Sequence, residues 1–258
     1  MRILFIGDII GKPGRETVAS VLPRLVEEQN IDLVIANGEN LAGGFGLTGA
    51  MAQEMFALGV DLLTSGNHVW DKKEVEEYIA KEGRLLRPAN YPEPAPGKGS
   101  LVVDRGGCIV GVLNLQGRAF MPPLDCPFRV GDREISRLRR ETTLIFVDFH
   151  GEATAEKQAF AWYVDGRVSA VIGSHTHVQT ADERILPGGT AYLTDVGMTG
   201  GHDSVIGMGI EGPIAKFLSG LPKQFRPATD APRLCGVVVE IDERTGHSTS
   251  IVRIQREP

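Results

Sequence analysis

Residues Val168 to His177 read Val-Ser-Ala-Val-Ile-Gly-Ser-His-Thr-His. The first part of this stretch is a short, mostly apolar run with β-branched side chains, which predicts a buried strand. The run leaves through Gly-Ser into two histidines separated by one threonine. An H-x-H pair in this position has few structural reasons to exist, so it indicates a metal site at the end of the strand.

The same pattern, an apolar run that ends in polar residues of metal-ligand type, recurs along the chain. In open α/β folds ligands bind beyond the carboxyl ends of the strands, so we expect these ends to converge on one crevice. Four of the six histidines fall in such motifs, a concentration that random placement seldom produces. The strand-end residues are Asp8, Glu39-Asn40, Asn67-His68, His150 and His175-x-His177.

The residue types in these motifs suit a hydrolytic metal centre. Asp, Glu, Asn and His offer oxygen and imidazole nitrogen without sulfur, a set that favours Mn, Fe or Zn. Charge counting favours two ions, because Asp8, Glu39 and a bridging hydroxide leave two divalent ions with a net positive charge. Such a pair can clamp both the attacking and the leaving oxygen of a phosphodiester. Glu39 is the predicted bridge, since one carboxylate can give an oxygen to each ion.

Composition and charge exclude several classes of protein. The chain has 258 residues, of which 42% are apolar, enough to bury a sizeable core in a single domain. The net charge is −6 and Lys and Arg do not cluster, so we expect no strong nucleic-acid-binding surface. No apolar run approaches the roughly 20 residues of a membrane span. Three cysteines without C-x-x-C spacing indicate a reducing compartment, so we expect a cytoplasmic protein.

The remaining segments predict an α/β chain that alternates strands and helices in its first half. Asp71 and Glu74 resemble a capping box, which predicts a helix over residues 72–81. Residues 101–115 read as a hairpin, and residues 116–132, with three prolines, as a loop. The glycine-rich loop Ala42–Gly46 is able to cradle phosphate, but a lid or plain surface loop is the favoured interpretation.

In this order the motifs resemble those of the calcineurin-like metallophosphoesterases, and more closely those of their YmdB-like branch. The closer resemblance rests on Gly-Asp-Ile-Ile-Gly-Lys-Pro-Gly-Arg from Gly7, Asn-Gly-Glu-Asn from Asn37, Gly-Asn-His-Val-Trp-Asp from Gly66 and Gly-Ser-His-Thr-His-Val-Gln-Thr from Gly173. It covers nearly the whole chain. It implies a four-layer α/β/β/α sandwich of two packed mixed sheets.

The resemblance also implies a role for each site residue. The wider superfamily has D-x-H after its first strand, but this chain has Ile10 in the third position, and Asn40 is the implied replacement ligand. The wider superfamily also usually has aspartate where this chain has Glu39. His68 is similar to the histidine that superfamily members direct at the phosphate, as general acid or transition-state stabiliser. One metal would be held by Asp8, Glu39, Asn40 and His177, and the other by Glu39, Asn67, His150 and His175.

The implied activity is hydrolysis of small phosphodiesters, with cyclic nucleotides of the 2′,3′ type favoured, by a metal-activated water or hydroxide. Two divalent or trivalent ions per chain are the expected cofactors, with Fe or Mn favoured and Zn left open. A phosphomonoesterase such as a nucleotidase stays open, as does a regulatory, RNA-associated protein with a vestigial metal centre. A binuclear amidohydrolase is disfavoured, because those enzymes usually place H-x-H on the first strand. The residues leave homo-oligomerisation undecided.

Overall fold

Two mixed β-sheets and six helices make up the molecule, in a computed structural model that describes residues 1–258. The strands are β1 (Arg2–Ile6), β2 (Asp8–Ile9), β3 (Leu33–Asn37), β4 (Leu62–Thr64), β5 (Ser100–Arg105), β6 (Cys108–Gln116), β7 (Leu144–His150), β8 (Ala170–Ser174), β9 (Arg184–Ile185), β10 (Ala191–Leu193), β11 (Met198–Gly201), β12 (Pro232–Ile241) and β13 (Ser248–Arg256). The helices are α1 (Gly11–Gln29), α2 (Gly49–Ala57), α3 (Val75–Ile79), α4 (Pro127–Leu138), α5 (Thr154–Val164) and α6 (Glu211–Ser219).

Both sheets combine neighbouring parallel strands with antiparallel ones. The first sheet has the order β2-β11-β12-β1-β3-β4, and β13 also pairs with β12. Within it β1, β3 and β4 are parallel, whereas β12 is antiparallel to β1. The second sheet has the order β5-β6-β7-β8-β10-β9, with parallel strands from β6 to β10 and an antiparallel strand at each edge.

Three separate apolar clusters divide the molecule into four layers. Because side chains alternate along a strand, β1 sends Ile3 and Phe5 to one face and Leu4 and Ile6 to the other. The first pair packs between the two sheets, where the rings of Phe5 and Phe146 lie 5.3 Å apart. The second pair packs under α1, α2 and α3, and a third cluster lies between the second sheet and α4 and α5. The predicted four-layer α/β/β/α sandwich is therefore confirmed.

The helix predicted over residues 72–81 is wrong in its start and in its cap. It spans only Val75–Ile79, and its cap residue Glu74 makes no side-chain capping hydrogen bond. The Asp71 side chain does not cap the helix, since its Oδ2 lies 2.8 Å from Nδ1 of His68. An aspartate in this position is able either to cap the helix or to pair with a nearby histidine. Here Asp71 pairs with His68.

The loop predicted over residues 116–132 is also wrong in its second half, because α4 begins at Pro127. Proline is tolerated in the first helical position, where its missing N–H would have no partner in any case. The helix then buries Val130, Ile135 and Leu138 against the second sheet. The hairpin predicted over residues 101–115 is confirmed by the antiparallel pair β5 and β6. None of the six helices combines the length and the apolarity that crossing a bilayer requires.

Candidate metal centre

Both sheets bring their carboxyl-terminal strand ends to the same cleft. From the first sheet come the residues that follow β1, β3 and β4, and from the second come the end of β7 and the residues after β8. The closest group is Glu39, His150 and His175, whose ligand atoms all lie within 4.8 Å of one another. The structure thus brings together side chains that are more than 100 residues apart in sequence, as the strand-end pattern predicts.

Glu39 occupies the middle of this group. Its side chain is fully buried, and Oε1 lies 3.1 Å from Nε2 of His150. Its other oxygen, Oε2, accepts a hydrogen bond of 3.1 Å from the backbone N–H of His68. Nδ2 of Asn40 donates to Oε1 as well, at 3.4 Å. The carboxylate is therefore held between two sets of candidate ligands, as a bridging group must be.

The first set consists of Asp8, Asn40 and His177. Nε2 of His177 lies 3.8 Å from Oδ1 of Asp8 and 3.3 Å from Nδ2 of Asn40. The other ring nitrogen, Nδ1, lies 2.9 Å from the carbonyl oxygen of Ile206, to which only an N–H can donate. Nδ1 therefore carries a proton, and Nε2 is the nitrogen that faces Asp8 and Asn40, as in a metal-ligating histidine.

The second set is centred on His150, which is fully buried. Its Nε2 lies 3.0 Å from Oδ1 of Asn67 and 3.1 Å from Nδ1 of His175. Its Nδ1 lies 3.0 Å from Oγ of Ser174, and that hydroxyl donates to Oδ1 of Asp148 at 2.7 Å. Because the hydroxyl proton is engaged by Asp148, the serine oxygen accepts from Nδ1–H, which leaves Nε2 as the coordinating nitrogen.

Two buried oxygen atoms provide a test of whether a cation fits. Oδ1 of Asp8 and Oδ1 of Asn40 are both buried and have no hydrogen-bond partner. A buried acceptor without a partner costs about 1–3 kcal/mol, so such atoms are rare unless a water or an ion completes them. Both belong to the first set, in which Oδ1 of Asp8 lies 3.8 Å from Nε2 of His177 and Asn40 approaches the same nitrogen through its amide group. The donor set therefore fits a metal ion in its types of atom and in its missing partners.

The electrostatics of the candidate ligands point the same way. Burial raises the pKa of the Glu39 carboxyl, but His150 opposes this effect, and the pKa falls to about 2. Burial lowers the pKa of His150, but the Glu39 carboxylate raises it to about 9. Burial also raises the pKa of Asp8 and lowers the pKa of His175 to about 3. The carboxylates thus need a counter-charge, and a metal ion supplies it while requiring neutral imidazoles.

Gly66, directly before Asn67, is required by the close packing of the second set. A Cβ atom on this residue would lie 2.1 Å from Cδ2 of His150, far inside van der Waals contact. Only glycine lets the backbone after β4 approach the imidazole so closely. This contact explains why the motif begins with glycine and places Asn67 Oδ1 within hydrogen-bonding distance of His150.

The H-x-H turn has an unusual backbone that a buried ion pair stabilises. His175 and His177 have φ angles of +105° and +65°, in a region that side-chain-bearing residues seldom adopt. Asp195 Oδ2 accepts from the N–H of Thr176 at 2.9 Å and from Nζ of Lys157 at 2.8 Å. Nζ of Lys157 also donates to the carbonyl of Ser174 at 2.8 Å. The pair thus holds the turn from both sides.

Sequence reasoning missed Lys157 and Asp195, although one of them carried a signal. Asp195 follows the apolar run of β10 in the same way that ligand-type residues follow other strands, and this parallel is a signal in the sequence. Lys157 lies on α5 among residues of ordinary helical composition, so its burial carries no signature in the sequence. Asp148 lies inside a buried strand and was equally invisible.

His68 lies on the open side of the centre. Its side chain is 30% exposed, and Nδ1 pairs with Oδ2 of Asp71 at 2.8 Å. The ring of Phe45, from the loop Ala42–Gly46, packs edge-on against it with centroids 5.2 Å apart. These two contacts fix the imidazole, so that Nε2 is the nitrogen available to a substrate.

A cleft of about 460 Å³ opens above the centre. Its floor includes Glu39, Asn40, His175 and His177, and His68 forms part of one side. The cleft is large enough for a mononucleotide-sized ligand, and ligand pockets of this kind combine a few convergent polar groups with apolar walls.

Comparisons with known proteins identify the family to which the chain belongs. The model of the YmdB-like protein family matches residues 4–254. The chain is 51% identical to a 2′,3′-cyclic-nucleotide 2′-phosphodiesterase of Bacillus subtilis (strain 168), over 98% of this chain and 96% of that protein. It superposes with a TM-score of 0.93 on a hypothetical protein from Thermus thermophilus, at 44% identity and 100% coverage of both chains. A phosphatase from Mycoplasma pneumoniae gives a TM-score of 0.93 at 36% identity, over 99% of this chain and 93% of that one. The chain therefore belongs to the YmdB-like protein family.

Proposed function

We propose that this protein is a metal-dependent phosphodiesterase that hydrolyses small cyclic nucleotides, with 2′,3′-cyclic esters as the favoured substrates. The observation that carries the proposal is the pair of unpartnered buried oxygens of Asp8 and Asn40, two residues that Nε2 of His177 faces. The choice of substrate is supported by the 51% identity to the Bacillus subtilis enzyme.

Two metal ions per chain are part of the proposal. Asp8, Asn40 and His177 would hold one ion, and Asn67, His150 and His175 the other, with Glu39 shared between them. When bound, such ions neutralise phosphate charge and lower the pKa of water to supply a nucleophile. Fe or Mn is favoured over Zn because the donors are oxygen and imidazole nitrogen. The three cysteines are free, which supports the inference of a reducing, cytoplasmic compartment.

Other residues of the chain would position groups and move protons. Asp71 holds the His68 ring through Nδ1, so Nε2 can donate a proton to a leaving alkoxide of the ribose. Ser174 and Asp148 keep His150 in the tautomer that coordinates through Nε2. Glu152 lies 3.2 Å from Nε2 of His175, so it favours the tautomer whose Nδ1 faces the centre.

Metal analysis combined with a substrate panel tests the proposal. Freshly purified protein should hold close to two metal equivalents, and reconstituted protein should turn over 2′,3′-cyclic nucleotides faster than linear diesters or phosphomonoesters. The Asp8→Asn variant keeps the shape of the side chain but removes its charge, so it should lose metal and activity together. A protein with two metals that prefers phosphomonoesters would contradict the substrate assignment, and a protein that turns over esters without metal would contradict the mechanism.

A further inference from the structure

One wall of the cleft is apolar and comes from a single segment that includes α6. The polar centre forms the floor, whereas this wall consists of Val205, Ile206, Met208, Pro213, Phe217 and Phe225. The contrast matters because a nucleotide has the same division, with a charged phosphate at one end and an aromatic base at the other. A role for this wall in substrate binding rests on the proposed function, in which the phosphate lies over the floor.

The wall is fixed relative to the centre by two contacts. The carbonyl oxygen of Ile206 accepts the hydrogen bond of 2.9 Å from Nδ1 of His177. Met208 packs in a small cluster with buried Ile10 and with Phe45 and Phe225. The wall therefore has a fixed position relative to the candidate metal-binding residues, and a molecule bound at the floor meets the wall in a defined place.

Phe217, in the last full turn of α6, is the feature of this wall that needs an explanation. Its side chain is 84% exposed although it lines the cleft. A large aromatic ring left in water at the rim of a cleft is typical of a surface that a ligand covers. We propose that Phe217 is a nucleobase platform, on which the base of the substrate stacks while its phosphate occupies the metal centre.

The chemistry of the wall also sets how selective the platform is. Among the wall residues and their neighbours on α6, Lys216 alone carries a polar side chain into the cleft, and its Nζ lies 5.4 Å from the centre of the Phe225 ring. A site discriminates between bases by hydrogen bonds to their edges, whereas stacking accepts every base. We therefore expect adenine, guanine, cytosine and uracil substrates to be turned over with similar efficiency.

The helix offers a matched control for this proposal. Leu218 follows Phe217 and is equally exposed, at 84%, but it does not line the cleft. Ile214 and Leu221 are also exposed on the same segment, so a second copy of the chain is the alternative occupant of this apolar surface. Phe217→Ala and Leu218→Ala remove comparable apolar surface, and only the first should affect a bound base.

The decisive measurement compares a substrate that has a base with one that lacks it. With adenosine 2′,3′-cyclic phosphate, Phe217→Ala should lower kcat/KM by about 5- to 150-fold, the range expected for one stacked base. Most of the loss should appear in KM. With ribose 2′,3′-cyclic phosphate the loss for Phe217→Ala should stay below about twofold. Phe217→Trp keeps an aromatic ring, so it should turn over the nucleotide about as well as the wild type. Leu218→Ala should match the wild type on both substrates.

Direct binding provides a readout that does not depend on turnover. Calorimetric titration of the metal-loaded protein with adenosine 3′-phosphate should show a weaker Kd for Phe217→Ala by a similar factor. An equal loss on both cyclic esters, an equal effect of Leu218→Ala, or a change in sedimentation coefficient with Phe217→Ala would overturn the platform. If the wild type turned over neither cyclic ester, the proposed function would fail, while the titration would still decide the role of Phe217.

Discussion

Replacing Asp195 by alanine is expected to damage both the stability of the protein and the H-x-H turn. The carboxylate and its partner Lys157 are essentially inaccessible to solvent, with side-chain exposures of 0% and 1%. Removing one member of a buried ion pair leaves the other charge without compensation, at a cost of about 3–5 kcal/mol. The half-buried amide of Thr176 and the buried amide of Gly197 also lose their acceptor, at up to about 1–3 kcal/mol each, and these losses overlap with the first.

The expected loss is measurable by equilibrium unfolding. A loss of about 3–5 kcal/mol corresponds to a decrease in Tm of roughly 6–20 °C for a chain of this size. Asp195→Asn keeps the shape and one oxygen, so it should lose less. The double variant Lys157→Met with Asp195→Asn leaves no buried charge unpaired, and its destabilisation should be smaller than the sum of the single variants by about 1–3 kcal/mol.

Urea titration of metal-free protein isolates the stability effect, and elemental analysis after reconstitution reports on the turn. With the turn released, His175 and His177 should relax from their left-handed conformations, and both metals should bind more weakly. Asp195→Ala with less than about 1 kcal/mol of destabilisation, or strict additivity in the double variant, would refute the view that the pair acts as a unit.

Four further substitutions test the centre itself. Glu39→Gln should release both metals and reduce activity by several orders of magnitude, whereas Asn40→Ala should affect one metal only; retention of two metals by the first variant would exclude a bridge. His68→Ala should keep both metals but lose about 10²–10⁴-fold in kcat on alkyl diesters and less on a nitrophenyl ester. Equal losses on the two esters would instead indicate charge stabilisation, and loss of metal a ligand role. Gly66→Ala places a Cβ atom 2.1 Å from Cδ2 of His150, so it should lower the free energy of unfolding by about 1–3 kcal/mol and weaken the binding of one metal. The control Gly83→Ala, whose Cβ would have nothing within 4 Å, should change neither stability nor metal content.

The placement of the site could be predicted because its signal is local. Each motif contains an apolar run and the polar residues that follow it, so a short window of sequence holds the evidence for both strand and ligand. The parallel arrangement of β1, β3 and β4 then carries Asp8, Glu39 and Asn67 to one edge of the sheet. Nothing beyond strand order is needed to bring them close.

The apolar wall could not be predicted, because α6 breaks the rule on which helix prediction depends. An amphipathic helix is recognised by apolar residues on its buried face, but in α6 Ile214, Phe217 and Leu218 are all exposed and only Pro213 is buried. The buried ion pair that supports the H-x-H turn could not be predicted for a different reason. Lys157 and Asp195 become partners only through the packing of α5 on the second sheet, over a separation that no local pattern records.

The division of the candidate ligands between two sheets has a consequence for the order in which the protein can mature. The carboxylates and amides come from the first 67 residues, but every candidate imidazole ligand belongs to residues 150–177. At roughly 5–20 residues per second, a ribosome needs several seconds to add the intervening stretch. A nascent chain that exposes Asp8 and Glu39 therefore has hard oxygen donors and no nitrogen donor during that interval. Selective metal capture must wait for the second sheet, so metal acquisition is a late step of biosynthesis and not a nucleus around which the first sheet forms.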